Sequence, residues 1–234
     1  MATMKSLLTD TALYGLSSII ARLFNFVLTP LLTIVLSKSE YGINALLYVS
    51  IAFLMVILTY GFETAYFRVS EKKGNDEHRV YSTAMWSLLV STIIFLTIFS
   101  IFYVPISELI NMSNRPYLVL WMAWIVAMDA ISAVPFARLR GQRRAKRFVF
   151  IKISQIVINF ILCYAIFLIL PNMGYKLPDW QVGWVLFANL IASGFMIILL
   201  LPEFFAVKRI FDFGIWKTMM AFGIPLLLAG LPGI

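Results

Sequence analysis

The chain has 234 residues, of which 62% are hydrophobic and only 13% charged, with a mean hydropathy of +0.91. A soluble domain is about 45–50% apolar and about 25% charged, so an ordinary water-soluble fold is excluded. The net charge of +8 would suggest nucleic acid in a soluble chain, but here each charge must first be placed relative to the apolar runs.

Those runs are about twenty residues or longer, the length an α-helix needs to cross a roughly 30 Å hydrocarbon core. Six complete spans are predicted, at Thr11–Leu36, Ile43–Phe67, Thr83–Val104, Tyr117–Ala137, Phe150–Leu170 and Gly183–Phe205. A seventh begins near Ile215 and is still running at Ile234. The predicted fold class is an all-α membrane protein: a six-transmembrane-helix bundle over residues 1–212, with the start of a seventh helix in 213–234. No cleavable signal peptide is expected, because the first apolar region is too long and Arg22 interrupts it.

Span one holds an arginine near its middle. A charge at that depth costs about 2.5–3.5 kcal/mol on insertion scales. Residues three and four apart share a helix face, and steps from Thr11 reach Gly15, Ser18, Arg22, Asn25, Thr29 and Thr33. The polar and small residues thus form one stripe, while Ile20, Leu23, Phe24, Val27 and Leu31 cover the rest. This pattern predicts a wet or protein-facing side with Arg22 at its centre, on a helix bent by Pro30.

Later spans carry weaker versions of the pattern. Thr59, Glu63 and Tyr66 align in span two. Span three has only Ser and Thr dispersed among Ile, Phe and Leu, and reads as scaffold. Asp129 and Ser132 share a face in span four, one turn before Pro135. Lys152, Gln155, Asn159 and Cys163 run along one side of span five, and span six offers Asn189 and Ser193. Each has a plainer reading. Small and hydroxyl residues mark tight helix packing, and amides hydrogen-bond between helices. Glu63 and Arg68 lie near a span end, where snorkelling to the interface suffices. Arg22 and Asp129 are functional candidates as deep ionisable residues, although pairing of Arg22 with Asp129 or Glu63 would be structural only.

The remaining cations sort by side. Lys5, Arg68, Lys72, Lys73, Arg79, Arg138, Arg140, Arg143, Arg144, Lys146, Arg147, Lys152, Lys208, Arg209 and Lys217 fall on one side, and only Lys38, Arg115 and Lys176 on the other. Cytoplasmic loops collect Lys and Arg, so the amino terminus is expected in the cytoplasm. The basic run ARLRGQRRAKRFVFIK is explained by topology and by anchoring to anionic lipid headgroups. Its other reading is attraction of an anionic substrate at a cytoplasmic mouth. No nucleic-acid partner is expected.

A single cysteine, Cys163, and a single histidine, His78, argue against an intramolecular disulfide and against a metal site built from these residue types. No Gly-rich phosphate loop or nucleophile elbow is present, so neither a cofactor nor an enzymatic activity is expected.

Four segments, TALYGLSSIIARLFNFVLTPLLTIVLSKSEYGI, YGFETAYFRV, LRGQRRAKRFV and FGIPLLLAG, together resemble the bacterial polysaccharide flippases of the multidrug/oligosaccharidyl-lipid/polysaccharide exporter superfamily. The segment Leu36 to Gly42, with Glu40-Tyr41-Gly42 closing it, is the most specific part. The resemblance implies a MATE-like exporter fold of two six-helix lobes facing a central cavity, of which this chain is expected to be the N-terminal lobe plus a piece of the second. It also implies a bacterial cytoplasmic (inner) membrane location and transport of undecaprenyl-pyrophosphate-linked oligosaccharide for surface polysaccharide such as O-antigen.

A faint echo supports two halves: Tyr14-Gly15-Leu16 through Ala21 in span one matches Phe222-Gly223-Ile224 through Ala229 in span seven. Parallel repeats with Gly- or Pro-interrupted helices point to a site at their interface. On this reading Arg22 offers a forked donor to phosphate oxygens. Asn25 lines the substrate cavity beside it, Gln155, Asn159 and Asn189 hydrogen-bond the sugar hydroxyls, and Asp129 or Glu63 loads the H⁺ or Na⁺ that drives alternating access. Two rivals remain. A drug or cation antiporter of the same superfamily would favour acidic cavity residues. A membrane-embedded glycan polymerase or ligase would call for a large outer loop, and the outer loops Ser37–Gly42, Pro105–Pro116 and Pro171–Val182 are short.

Overall fold

The computed structural model describes residues 4–72, 74–175 and 181–231. Lys73, Lys176, Pro232, Gly233 and Ile234 lie outside them, as do the side chains of Thr11, Ser18 and Asn25 within the opening helix. In chain order the elements are α1 Met4–Val35, α2 Lys38–Thr59, α3 Phe62–Ser70, α4 Glu77–Leu109, α5 Tyr117–Gly141, α6 Ala145–Tyr164, a π-helical turn Ala165–Ile169, α7 Leu170–Asn172, α8 Gln181–Phe205 and α9 Phe213–Gly230.

Among the described residues six helical segments are long and apolar enough to cross a membrane: Lys38–Ser70, Glu77–Leu109, Tyr117–Gly141, Ala145–Asn172, Gln181–Phe205 and Phe213–Gly230. They correspond to the second through seventh predicted spans, while α1 contributes the apolar stretch Arg22–Val35. Large apolar side chains stand fully outside the packed interior, with Ile34 and Leu109 each 83% exposed. In water such surface is an aggregation hazard; against lipid tails it carries no penalty.

The helix starts and breaks follow from particular residues. Ser37 accepts a hydrogen bond from the Glu40 amide at 3.3 Å, Asp76 from the His78 amide at 3.0 Å, and Asp212 from the Gly214 and Ile215 amides at 2.9 and 3.1 Å. Each satisfies donors that a first turn leaves open. Pro105 lies inside α4, whose backbone leaves helical geometry at Phe102, and the π-turn precedes Pro171; a proline cannot donate to the ladder and crowds the carbonyl four residues back.

The break between α2 and α3 is one the apolar pattern did not predict. Tyr60 and Gly61 both adopt positive φ, 34° and 72°, inside a stretch otherwise long enough to span. The predicted alignment of Thr59 with Glu63 on one helix face therefore fails, because the two left-handed residues between them end the helical period. Broken backbone at membrane depth is tolerated where protein covers it. Here α9 does so, with Gly223 packed on the turn.

The described residues form two compact units, 1–46 with 142–199, and 47–141 with 200–234. The first contains α1, the start of α2, α6 with its π-turn, α7 and most of α8. Within it α1 packs on α6, with Phe24 edge-on to Phe160 at 5.1 Å. Buried Glu40 accepts the amide of Val182 at the start of α8, at 3.3 Å. The Leu36–Gly42 segment thus closes one helix, caps the next and ties down a third.

The second unit is built around α5, which is buried along most of its length. Ala123, Ala127, Ala130 and Ala137 let neighbouring backbones approach, as small residues do in membrane bundles. Phe62, Tyr66, Tyr81, Met85, Leu88, Val134 and Met219 fill the core against it.

Candidate functional site

In the first unit, the predicted amides converge in part. Gln155 on α6 donates to the Ser193 hydroxyl on α8 at 3.2 Å, and that hydroxyl donates to Asn189 Oδ1 at 3.5 Å. Asn159, one turn beyond Gln155, accepts from the Cys163 thiol at 3.6 Å. One hydrogen bond, Gln155 to Ser193, thus crosses between α6 and α8, while the Cys163–Asn159 and Ser193–Asn189 bonds stay within their own helices; these residues are half-buried except for Ser193 and Cys163, which are fully buried.

Arg22 is exposed on α1 and lies about 200° round the helix from Phe24, the residue that meets α6. Among the described residues it makes no hydrogen bond or ion pair, so the structure does not bring it to Gln155, Asn159 or Asn189. The side chain of Asn25 lies outside the described residues.

The basic segment is a helix–turn–helix rather than a loop throughout. Arg138 and Arg140 belong to α5, Arg143 and Arg144 to the turn, and Lys146, Arg147 and Lys152 to α6. Arg143 takes a positive φ of 56°, and Arg147 reaches the Leu199 carbonyl at 3.5 Å.

Arg138 differs from the rest. It is 5% exposed and bonds Glu203 Oε2 and Glu77 Oε1, each at 3.4 Å, with its guanidinium 4.3 Å from the Tyr81 ring centre. Tyr81 donates to the Glu203 carbonyl at 2.8 Å, and Tyr66 donates to Glu77 at 3.3 Å. Four helices, α3, α4, α5 and α8, are joined at one end of the second unit by this network. A buried cation is tolerable only with such partners, so Arg138 is committed to the fold and does not face headgroups.

The two acidic candidates also lie in the second unit. Glu63 pairs with Arg140, and Arg140 lies over the Phe67 ring. Asp129 is half-buried in the middle of α5. Among the described residues no three His, Cys, Asp or Glu side chains come together as metal ligands.

One cavity escaped the sequence reading. A groove of about 570 Å³ in the second unit is lined by Tyr60, Trp86, Ser87, Val90, Ser91, Ile94, Phe211, Trp216 and Met220. Its hydroxyls are held by aromatic partners: Tyr60 and Ser87 share a 2.7 Å hydrogen bond, and Trp216 donates to Ser87 at 3.0 Å. The available signal was Ser87 and Ser91 four residues apart on the same face of α4 as Trp86, Val90 and Ile94, in the span read as scaffold.

Taken together, the helices define a multi-pass helical membrane protein, with large apolar side chains on its outer surface. A family model described as polysaccharide biosynthesis protein matches residues 7–232. The chain belongs to that family, as the motifs from Leu36 to Gly42 and the basic segment suggested. No curated protein and no solved structure matches the chain.

Proposed function

We propose that the chain forms the N-terminal lobe of a flippase that carries lipid-linked oligosaccharide, on an undecaprenyl-pyrophosphate-type carrier, from the inner to the outer leaflet of the bacterial cytoplasmic membrane. The observation that carries this reading is the polysaccharide-biosynthesis family match over nearly the whole of a chain made of membrane-length helices. The work is transport and needs no covalent step. A second lobe completes the transporter, and the amino terminus lies in the cytoplasm.

Arg22 is the proposed phosphate contact: an exposed guanidinium on a membrane helix offers two parallel donors to a planar or tetrahedral oxyanion. Gln155, Asn159 and Asn189 are the proposed sugar-facing amides. For the coupling H⁺ or Na⁺, Asp129 and Glu63 are the proposed candidates, Glu63 being paired with Arg140.

Depletion of the protein in its host tests the reading. Lipid-linked oligosaccharide should accumulate on the cytoplasmic face while surface polysaccharide disappears. Loss of polysaccharide without that accumulation would instead support a polymerase or ligase.

A further inference from the structure

A second cavity lies where the end of α3 meets the first turns of α9. Its volume is about 470 Å³, and Arg68, Val69, Glu71, Lys72, Thr218 and Phe222 line it. Small-molecule sites typically measure about 300–1,000 Å³. Arg68 and Thr218 stand near the ends of two membrane-length segments, Lys38–Ser70 and Phe213–Gly230. Lipid headgroups lie at the level of span ends, and Phe222 is one turn deeper.

The segment that carries the charges is held in shape. The Glu71 amide donates to the Phe67 carbonyl at 3.1 Å, and the Lys72 amide to the Val69 carbonyl at 3.4 Å. Asn75 Nδ2 donates to the same Val69 carbonyl at 2.9 Å. The Arg68 guanidinium lies 4.4 Å from the centre of the Phe222 ring, a contact that positions the cation and uses none of its N–H donors. Thr218 donates to the Gly214 carbonyl at 2.9 Å, which leaves its oxygen able to accept.

Two cations and one carboxylate thus line one cavity. Among the described residues, the side chains of Arg68, Glu71 and Lys72 make no hydrogen bond or ion pair with each other or with a neighbour. A simple anion would gain from the cations and be repelled by Glu71. A headgroup carrying both a phosphate and a primary ammonium suits all three: its oxygens accept from Arg68 and Lys72, and its ammonium donates to Glu71 and Thr218. Val69 and Phe222 offer carbon to the glyceryl end.

We propose that this cavity binds the headgroup of an aminophospholipid of the phosphatidylethanolamine type, bridging α3 and α9. The proposal rests on the membrane class of the protein and not on the flippase reading.

The test is native mass spectrometry of the delipidated protein in detergent, titrated with phosphatidylethanolamine, phosphatidylglycerol or phosphatidylcholine of matched chains. The first phosphatidylethanolamine should bind roughly tenfold more tightly than either of the others, the worth of one charge-assisted hydrogen bond. Phosphatidylglycerol lacks the ammonium, and phosphatidylcholine lacks its N–H donors. Glu71→Gln should erase the preference without weakening phosphatidylglycerol. Arg68→Gln should weaken both lipids, as should Lys72→Gln, an exposed change beyond the end of α3 that spares the fold. Arg209→Gln, at an exposed cation outside the cavity, should alter nothing. Phosphatidylglycerol or phosphatidylcholine binding as tightly as phosphatidylethanolamine would overturn the proposal. So would a preference that survives Glu71→Gln, or an equal loss in Arg209→Gln. Displacement of the lipid by an equal concentration of chain-free glycerophosphoethanolamine would mean a soluble ligand and overturn the lipid assignment.

Discussion

Gly61, at φ +72°, lies directly against Gly223 of α9: a Cβ added to Gly61 would sit 2.8 Å from the Gly223 carbonyl oxygen and 3.1 Å from the Leu226 Cβ. The break in the second span and the interrupted seventh span therefore fit each other, and only glycine suits both sides of the contact. An L-residue forced into left-handed backbone costs about 1–2 kcal/mol before any clash. Gly61→Ala and Gly223→Ala should each lower the unfolding temperature in detergent. Gly194→Ala, where a Cβ meets nothing within 4 Å, should change stability by less than about 1 kcal/mol. Equal behaviour of the three variants would remove the tight contact from the account.

Arg138 and Glu203 make a second test of packing. Removing one partner of a buried ion pair leaves the other uncompensated, at about 3–5 kcal/mol. Arg138→Met should therefore deplete folded protein from the membrane, and Arg138→Met with Glu203→Gln should recover part of it. Arg143→Ala, in the exposed turn, should be silent within about 0.5 kcal/mol. Quantitative blotting of membrane fractions separates these outcomes, and a silent Arg138→Met would contradict the buried assignment.

Arg22 should behave oppositely. It is exposed and has no partner among the described residues, so Arg22→Ala should leave abundance intact while export falls by about tenfold or more, the worth of one charge-assisted hydrogen bond. Arg22→Lys should retain intermediate export, because charge survives and the planar fork is lost. If Arg22→Ala instead depletes the protein, its role is structural.

Topology is open to labelling. On a Cys163→Ala background, a cysteine at Gln142 should resist an impermeant thiol reagent in intact cells and one at Asn172 should react. The motive is the fifteen-to-three distribution of cations between the two sides of the predicted spans. Labelling at Gln142 with none at Asn172 would invert the orientation.

The all-helical class was legible because spans of about twenty apolar residues permit little else in a bilayer. The polar stripe on α6 was legible too: Gln155 and Asn159 meet partners one turn away or across to α8. What periodicity missed is where backbone geometry changes within an apolar run. Tyr60-Gly61 carries no proline and no charge, and its left-handed turn depends on α9 covering it, a contact more than 150 residues away in the chain. Arg138 was hidden for a related reason. In a run of seven basic residues nothing local distinguishes the one that turns inward; Glu77, Tyr81 and Glu203, which hold it, come from two other helices. The aromatic groove went unread because hydroxyls scattered through an apolar helix look like packing until Trp216 and Tyr60 arrive to bond them.

The most direct measurement is transbilayer movement itself. The protein is reconstituted into liposomes with a fluorescent lipid-linked oligosaccharide on both leaflets, and the fraction reached by an impermeant quencher is followed in time. The account predicts that the protected half becomes accessible with the protein present, that Arg22→Ala slows this without altering reconstitution, and that an ordinary fluorescent phospholipid stays protected. If the lipid-linked sugar stays protected too, or if phospholipid crosses at the same rate, the flippase reading is wrong.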